Sequence, residues 1–184
     1  MRDFTTKTYM SLLEALKDQA YCFLTFRRFI VRSEEKMITL RHDVDLKPKN
    51  SLEIARLERN MGIKASYYFR AAPVSWDEGI IRKVAEMGHE VGYHYETMET
   101  CRGDVVKAYE EFCRNLGNFR KIASIDTVCM HGSPLSKWDN RDLWETYDYR
   151  DYGIIAEPYF DVDFNEVLYL TDTGRRWDDS LREG

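Results

Sequence analysis

The chain has 184 residues, of which 43% are hydrophobic and 32% charged, with only 10 Gly and 4 Pro. That fits one domain with a sizeable core and excludes disordered, collagen-like and low-complexity chains. A net charge of −5 without a run of Lys and Arg argues against a protein that tracks nucleic-acid phosphates. No stretch reaches the apolar length that spans a bilayer, and the start Met1-Arg2-Asp3-Phe4 lacks an apolar signal core, so the expected location is cytoplasmic. Cys22, Cys101, Cys113 and Cys129 stand far apart with no CxxC pair and read as reduced thiols in or near the core.

In chain order, residues 6–20 place Tyr9, Leu12, Leu13 and Leu16 at helical spacing, and 23–32 is a strand or an irregular apolar stretch; together 1–36 form a lead-in. Residues 37–45 predict a strand that runs into charge. A helix follows from the Lys47-Pro-Lys-Asn-Ser51 start signal to Gly62. A β-branched and aromatic strand covers 63–69. The next helix is capped by Ser75 or Asp77 and stopped by Gly88. The strand 89–96, a long helix capped by Asp104 and a strand over 124–130 complete the regular pattern, and His131-Gly-Ser-Pro134 breaks the last strand. Residues 138–147 predict a helix, and 153–156 and 167–170 two further short strands. Strands alternating with helices are βαβ units with parallel pairing, in a doubly wound sheet or a barrel.

Polar residues at the strand ends favour the barrel, whose sites are built from the C-terminal ends of several strands. These residues are Asp43, Asp45, Arg70, His94, Glu96 and His131, and all four His (His42, His89, His94, His131) fall in or at the end of a predicted strand. Residues i and i+2 share a face, so Asp43 and Asp45 lie together, as do Gly92, His94 and Glu96. The inward set is Asp43, Asp45, His94 and His131, with Glu96 inward or exposed. A carboxylate with two imidazoles suits a catalytic Zn²⁺ that keeps one position for water. His42 and His89 read as core histidines bonded to backbone, Arg41 and Arg70 as partners of the carboxylates, and Cys129 as a small core residue.

Ile38-Thr-Leu-Arg-His-Asp-Val-Asp45 and Gly88-His-Glu-Val-Gly-Tyr-His94 resemble two motifs of the polysaccharide deacetylase family of carbohydrate esterases, and Gly62-Ile-Lys-Ala-Ser-Tyr-Tyr-Phe69 resembles the strand between them. The resemblance covers about residues 37–97. It implies an α/β fold, a distorted (β/α)7-type barrel of parallel strands, complete or cut short, in one domain over 1–184. It further implies Asp43 as base and Asp45 and His94 as metal ligands. Val44 separates aspartates that are adjacent in the family, and Met98 holds the place of its second metal His. His131 is the expected substitute ligand. The family's late acid His has no counterpart, and the polar end Arg175–Gly184 suggests a chain cut short of barrel closure.

The expected activity is hydrolysis of an acetyl group from an N-acetylated sugar or polysaccharide precursor, with Zn²⁺ on Asp45, His94 and His131 and with Asp43 as base. Tyr68, Tyr93, Tyr95 and Trp138 are candidates for a sugar-stacking wall. The rivals are an inactive domain that binds a glycan or partner, a metal-dependent hydrolase of another amide, and a DxD glycosyltransferase.

Overall fold

The computed structural model describes residues 4–32, 36–132 and 136–171. Among the described residues the strands pair only in parallel. β1 (Cys22–Leu24) and β2 (Met37–Thr39) form a small sheet; β3 (Arg41–Val44), β4 (Ser66–Arg70), β5 (Glu90–Tyr95) and β6 (Val128–Met130) form a second in that order, curled as a half-barrel. The helices are α1 (Thr6–Asp18), α2 (Phe26–Val31), α3 (Pro48–Asn60), α4 (Glu78–Glu86), α5 (Thr97–Thr100), α6 (Val105–Arg120), α7 (Leu143–Thr146) and α8 (Pro158–Asp161). No helix among the described residues is long and apolar enough to cross a membrane.

The expected βαβ order holds from β3 to β6, with α3, α4 and α6 as crossovers. Three expectations are corrected. The strand predicted over 37–45 is two strands broken at Leu40, and the first half pairs with β1 rather than joining the main sheet. The helix predicted over 138–147 is a short 3-10 turn at 140–142 followed by α7. Of the two late strands, 153–156 provides only the bridge Thr127–Ala156, and 167–170 is not a strand, because the Val167 N–H turns back to the Asp163 carbonyl. Asp77 is the cap of α4, accepting from the Ile80 N–H. Residues 1–3, Pro134 and the polar end Arg175–Gly184 lie outside the described residues.

Parallel register divides the half-barrel's side chains between two faces. Val44, Tyr67, Phe69, Val91, Tyr93, Tyr95, Val128 and Met130 form one face and pack with the apolar sides of α3, α4 and α6. Arg41, Asp43, Tyr68, Arg70, Gly92, His94 and Cys129 belong to the other, inner face. There Phe26 of α2 packs on Tyr68 and Cys129, and its N–H donates to Ser66 Oγ at 2.7 Å. Ser66 in turn donates to Glu90, which also receives the Arg27 N–H and the Thr127 hydroxyl, so the polar end of the interior is closed by satisfied bonds. Gly92 is required here: a Cβ at that position would stand 2.3 Å from the Tyr68 ring.

One carboxylate ties the outer layer together. Glu58 of α3 is fully buried and accepts from Tyr9 (2.5 Å), Tyr67 (2.5 Å) and His42 Nε2 (2.6 Å). Burial alone would raise its pKa, but the facing His42 and these three bonds hold it below the ordinary carboxylate value. Glu58→Ala leaves His42 and two tyrosine hydroxyls without their buried acceptor. It should cost about 3–5 kcal/mol in denaturant unfolding.

Candidate metal centre

The inner-face rim at the ends of β3, β5 and β6 collects three of the expected residues. Asp45 follows β3, His94 lies within β5 and His131 follows β6, and one ligand atom from each falls within 4.8 Å of the other two. Asp45 Oδ1 stands 3.5 Å from His94 Nε2 and 3.4 Å from His131 Nε2. In a tetrahedron with bonds of about 2.0–2.2 Å, two ligand atoms are separated by roughly 3.3–3.6 Å. Asp45 Oδ1 is itself buried and has no hydrogen-bond partner, although half of the Asp45 side chain is open. A buried, unpartnered carboxylate oxygen facing two imidazole nitrogens at tetrahedral spacing fits a divalent cation.

The surroundings set the direction of each ligand. His94 Nδ1 donates to the Cys129 carbonyl at 2.9 Å, the tautomer that leaves Nε2 free to ligate. Burial pushes the His94 imidazole below its ordinary pKa, against the raising influence of Asp43, so the neutral form is favoured. His131 is held by its backbone: its N–H donates to the Tyr95 carbonyl (2.8 Å) and its carbonyl accepts from Asn140 Nδ2 (3.0 Å). Asn140 is buried and accepts the Met98 N–H through Oδ1, so it also ties α5 to the site. Ser75 fixes the Asp45 end: its hydroxyl donates to the Val44 carbonyl and accepts the Arg70 N–H.

Asp43 lies on the same inner face and pairs with Arg41 at 3.2 Å; its side chain keeps 27% of its surface exposed. Arg70 grips Glu96 through Nε (3.1 Å) and Nη2 (2.5 Å), and Glu96 Oε2 stands 3.5 Å from His131 Nδ1. Both arginines therefore act as the expected carboxylate partners. Glu96, Glu99 and His131 form one further cluster of potential ligands, and Asp43, His94 and Cys129 another. His89 accepts from the Ala65 N–H and donates to the Ala55 carbonyl, with both ring nitrogens engaged, while His42 turns outward to Glu58. Neither reaches the rim cluster. Met98 is buried in the outer core, so the place of the family's second metal His faces away from the site.

The expected stacking wall is corrected at its three tyrosines. Tyr68, Tyr93 and Tyr95 are all buried, Tyr68 bonded to Thr127 inside the half-barrel and the other two in the outer core, while Trp138 lies over Gly103. Two other rings, Tyr159 and Tyr169, stand beside Arg41. Their centroids stand 5.2 and 5.8 Å from the Arg41 guanidinium, and each hydroxyl accepts from its Nη2 at 3.2 Å. The sequence did not single them out: Tyr159 lies in α8, and Tyr169 in a stretch expected to be a strand that is not one. Asn140 was equally silent, as was Glu157. Glu157 is buried at the β6 edge, where it accepts the Met130 and Tyr159 N–H groups at 2.9 and 2.6 Å.

A scan against models of protein families matches none of them to this sequence, and a search of curated proteins finds no match.

Two predictions follow from this geometry. Asp45→Ala and His94→Ala should release bound metal with the fold retained, as read by metal analysis and circular dichroism, whereas His42→Ala and His89→Ala should keep it. His131→Ala should also release metal; retention in that variant alone would make Glu96 the third ligand. The second concerns Glu157, whose carboxyl burial pushes up to about 7 from an ordinary 4.5. Between those values the folded chain holds a proton that the unfolded chain has released, so this group's contribution to stability falls as pH rises. Against Glu157→Gln, the wild type should lose about 3 kcal/mol of relative stability across that window, measured by denaturant titration at each pH.

Proposed function

We propose that this chain is a metal-dependent hydrolase that removes an acetyl group from an N-acetylated sugar or polysaccharide precursor, on a single domain of distorted (β/α)7-type barrel architecture. The observation that supports it is the unpartnered Asp45 Oδ1 between His94 Nε2 and His131 Nε2. Their oxygen and nitrogen donors suit Zn²⁺. When bound, such a cation polarises the amide carbonyl and brings the pKa of a water ligand to about 7.

The chain's own groups divide the remaining work. Asp43, on the face of Asp45 and two residues before it, is the acceptor for the proton of the attacking water. Arg41 holds that carboxylate at 3.2 Å and is itself braced by Tyr159 and Tyr169, so the base is fixed in direction. Those two rings, each partly exposed, offer an aromatic wall beside the base on which a sugar ring can stack. Glu96, gripped by Arg70, faces His131 from the side opposite Asp45 and orients it.

A binding domain without turnover is the second reading, favoured by Met98 in the outer core where the resembling family has a metal His. Asp43→Asn keeps the shape and removes the proton acceptor. Metal should remain bound while deacetylation of N-acetylhexosamine oligomers falls about 10²–10⁴-fold. Normal turnover in that variant would transfer the base role to Glu96. A wild-type protein that binds metal yet hydrolyses none of an N-acetyl sugar panel would select the binding domain.

A further inference from the structure

Cys129 is a fully buried cysteine on the inner face, paired in register with His94. Its Sγ, a carboxylate oxygen of Asp43 and a nitrogen of His94 lie within 4.8 Å of one another. This second group sits deeper than the first, since Cys129 is wholly buried whereas the His131 side chain retains 17% of its exposure. The two groups share His94. With Nδ1 committed to the Cys129 carbonyl, only Nε2 is free, and it can serve one cation at a time.

We propose that the half-barrel rim offers a cation two mutually exclusive positions, and that a soft divalent cation takes the inner one on Asp43, His94 and the Cys129 thiolate. Thiolate favours soft metals, whereas the rim position offers only oxygen and nitrogen donors. Charge supports the inner position. The cation and the Arg41 guanidinium, which lies 3.2 Å from Asp43, together balance two carboxylates (Asp43 and Asp45) and one thiolate. Binding forms one metal–sulfur bond, breaks the S–H bond that now points at the Met130 carbonyl, and releases that proton to solvent. Occupation of the inner position also engages Asp43, so a soft cation in excess inhibits by occupying the proposed base. The inner position stands on its own geometry, whereas its exclusion of the rim cation and the inhibition rest on the rim centre and on Asp43 as the base proposed above.

The test titrates the metal-free full chain with Cd²⁺, reading thiolate-to-metal charge-transfer absorption and stoichiometry by equilibrium dialysis. The band should appear in the wild type, persist in the triple variant Cys22→Ser, Cys101→Ser, Cys113→Ser, and vanish in Cys129→Ser. The triple variant answers the question even where Cys129→Ser fails to fold, because Cys129 is then the sole thiol. His131→Ala should keep the band, since the inner position does not use that imidazole. Absence of the band in the wild type, its loss in the triple variant or its survival in Cys129→Ser overturns the proposal. If Cd²⁺ binds without a band and is released by His131→Ala, the inner position fails and the rim centre stands. A band that persists while Asp45→Ala and His131→Ala leave zinc binding unchanged removes the rim centre and overturns the pair of exclusive positions, leaving the inner one alone.

Discussion

Parallel pairing gives each side chain of β3 to β6 one of two directions, and register keeps that direction common to neighbouring strands. Asp43, Tyr68 and Gly92 consequently form one row and Arg70, His94 and Cys129 the next, all facing inward. The alternate positions carry the aromatic and aliphatic groups that bury against three crossover helices. A slip of one residue in β5 would turn His94 into the helical layer and Tyr93 into the interior. The rim geometry and the core are therefore two consequences of a single register.

That register brings the ligands near one another but does not aim them. Aiming is done by groups bonded to backbone: Ser75 on the Val44 carbonyl, the Cys129 carbonyl on His94 Nδ1, and Asn140 on the His131 carbonyl. Each bond leaves one defined atom facing the rim. Among the described residues Asp45 Oδ1 has no hydrogen-bond partner, and an unsatisfied buried carboxylate oxygen costs free energy of order 1–3 kcal/mol or more. Such an oxygen is a local destabilisation that a bound cation would relieve.

The main sheet could be read from the sequence because its signals are local: β-branched and aromatic runs, glycine stops at Gly62 and Gly88, and caps at Asp77 and Asp104. Asp45 and His131 could be named because they follow strands, and His94 because its parity within its own strand turns it inward. Asn140, Glu157, Tyr159 and Tyr169 lie after β6 in short helical turns and irregular chain, where no long period constrains direction and position depends on long-range contacts. The predicted stacking rings failed for a related reason. Tyr93 and Tyr95 have the opposite parity to His94, so the argument that turns His94 inward sends them into the core. Tyr68 does face inward, but the bare Gly92 gives its ring a buried resting place.

The run Arg41-His42-Asp43-Val44-Asp45 concentrates these effects. Alternation sends Arg41, Asp43 and Asp45 to the interior and His42 and Val44 to the helical layer, where His42 meets the buried Glu58 and Val44 joins the apolar core. Adjacent aspartates in such a strand would put one carboxylate into that layer, where it would need a partner or incur the desolvation cost of a buried charge. With Val44 between them, both carboxylates face the rim and the intervening position contributes apolar burial. The same strand is thereby anchored on both faces, by the His42–Glu58 hydrogen bond outside and by the bonds from Arg41 to the Tyr159 and Tyr169 hydroxyls inside. A shift of β3 sufficient to displace Asp45 must break contacts on both faces, so the carboxylate beside His94 and His131 is held by more than its own strand.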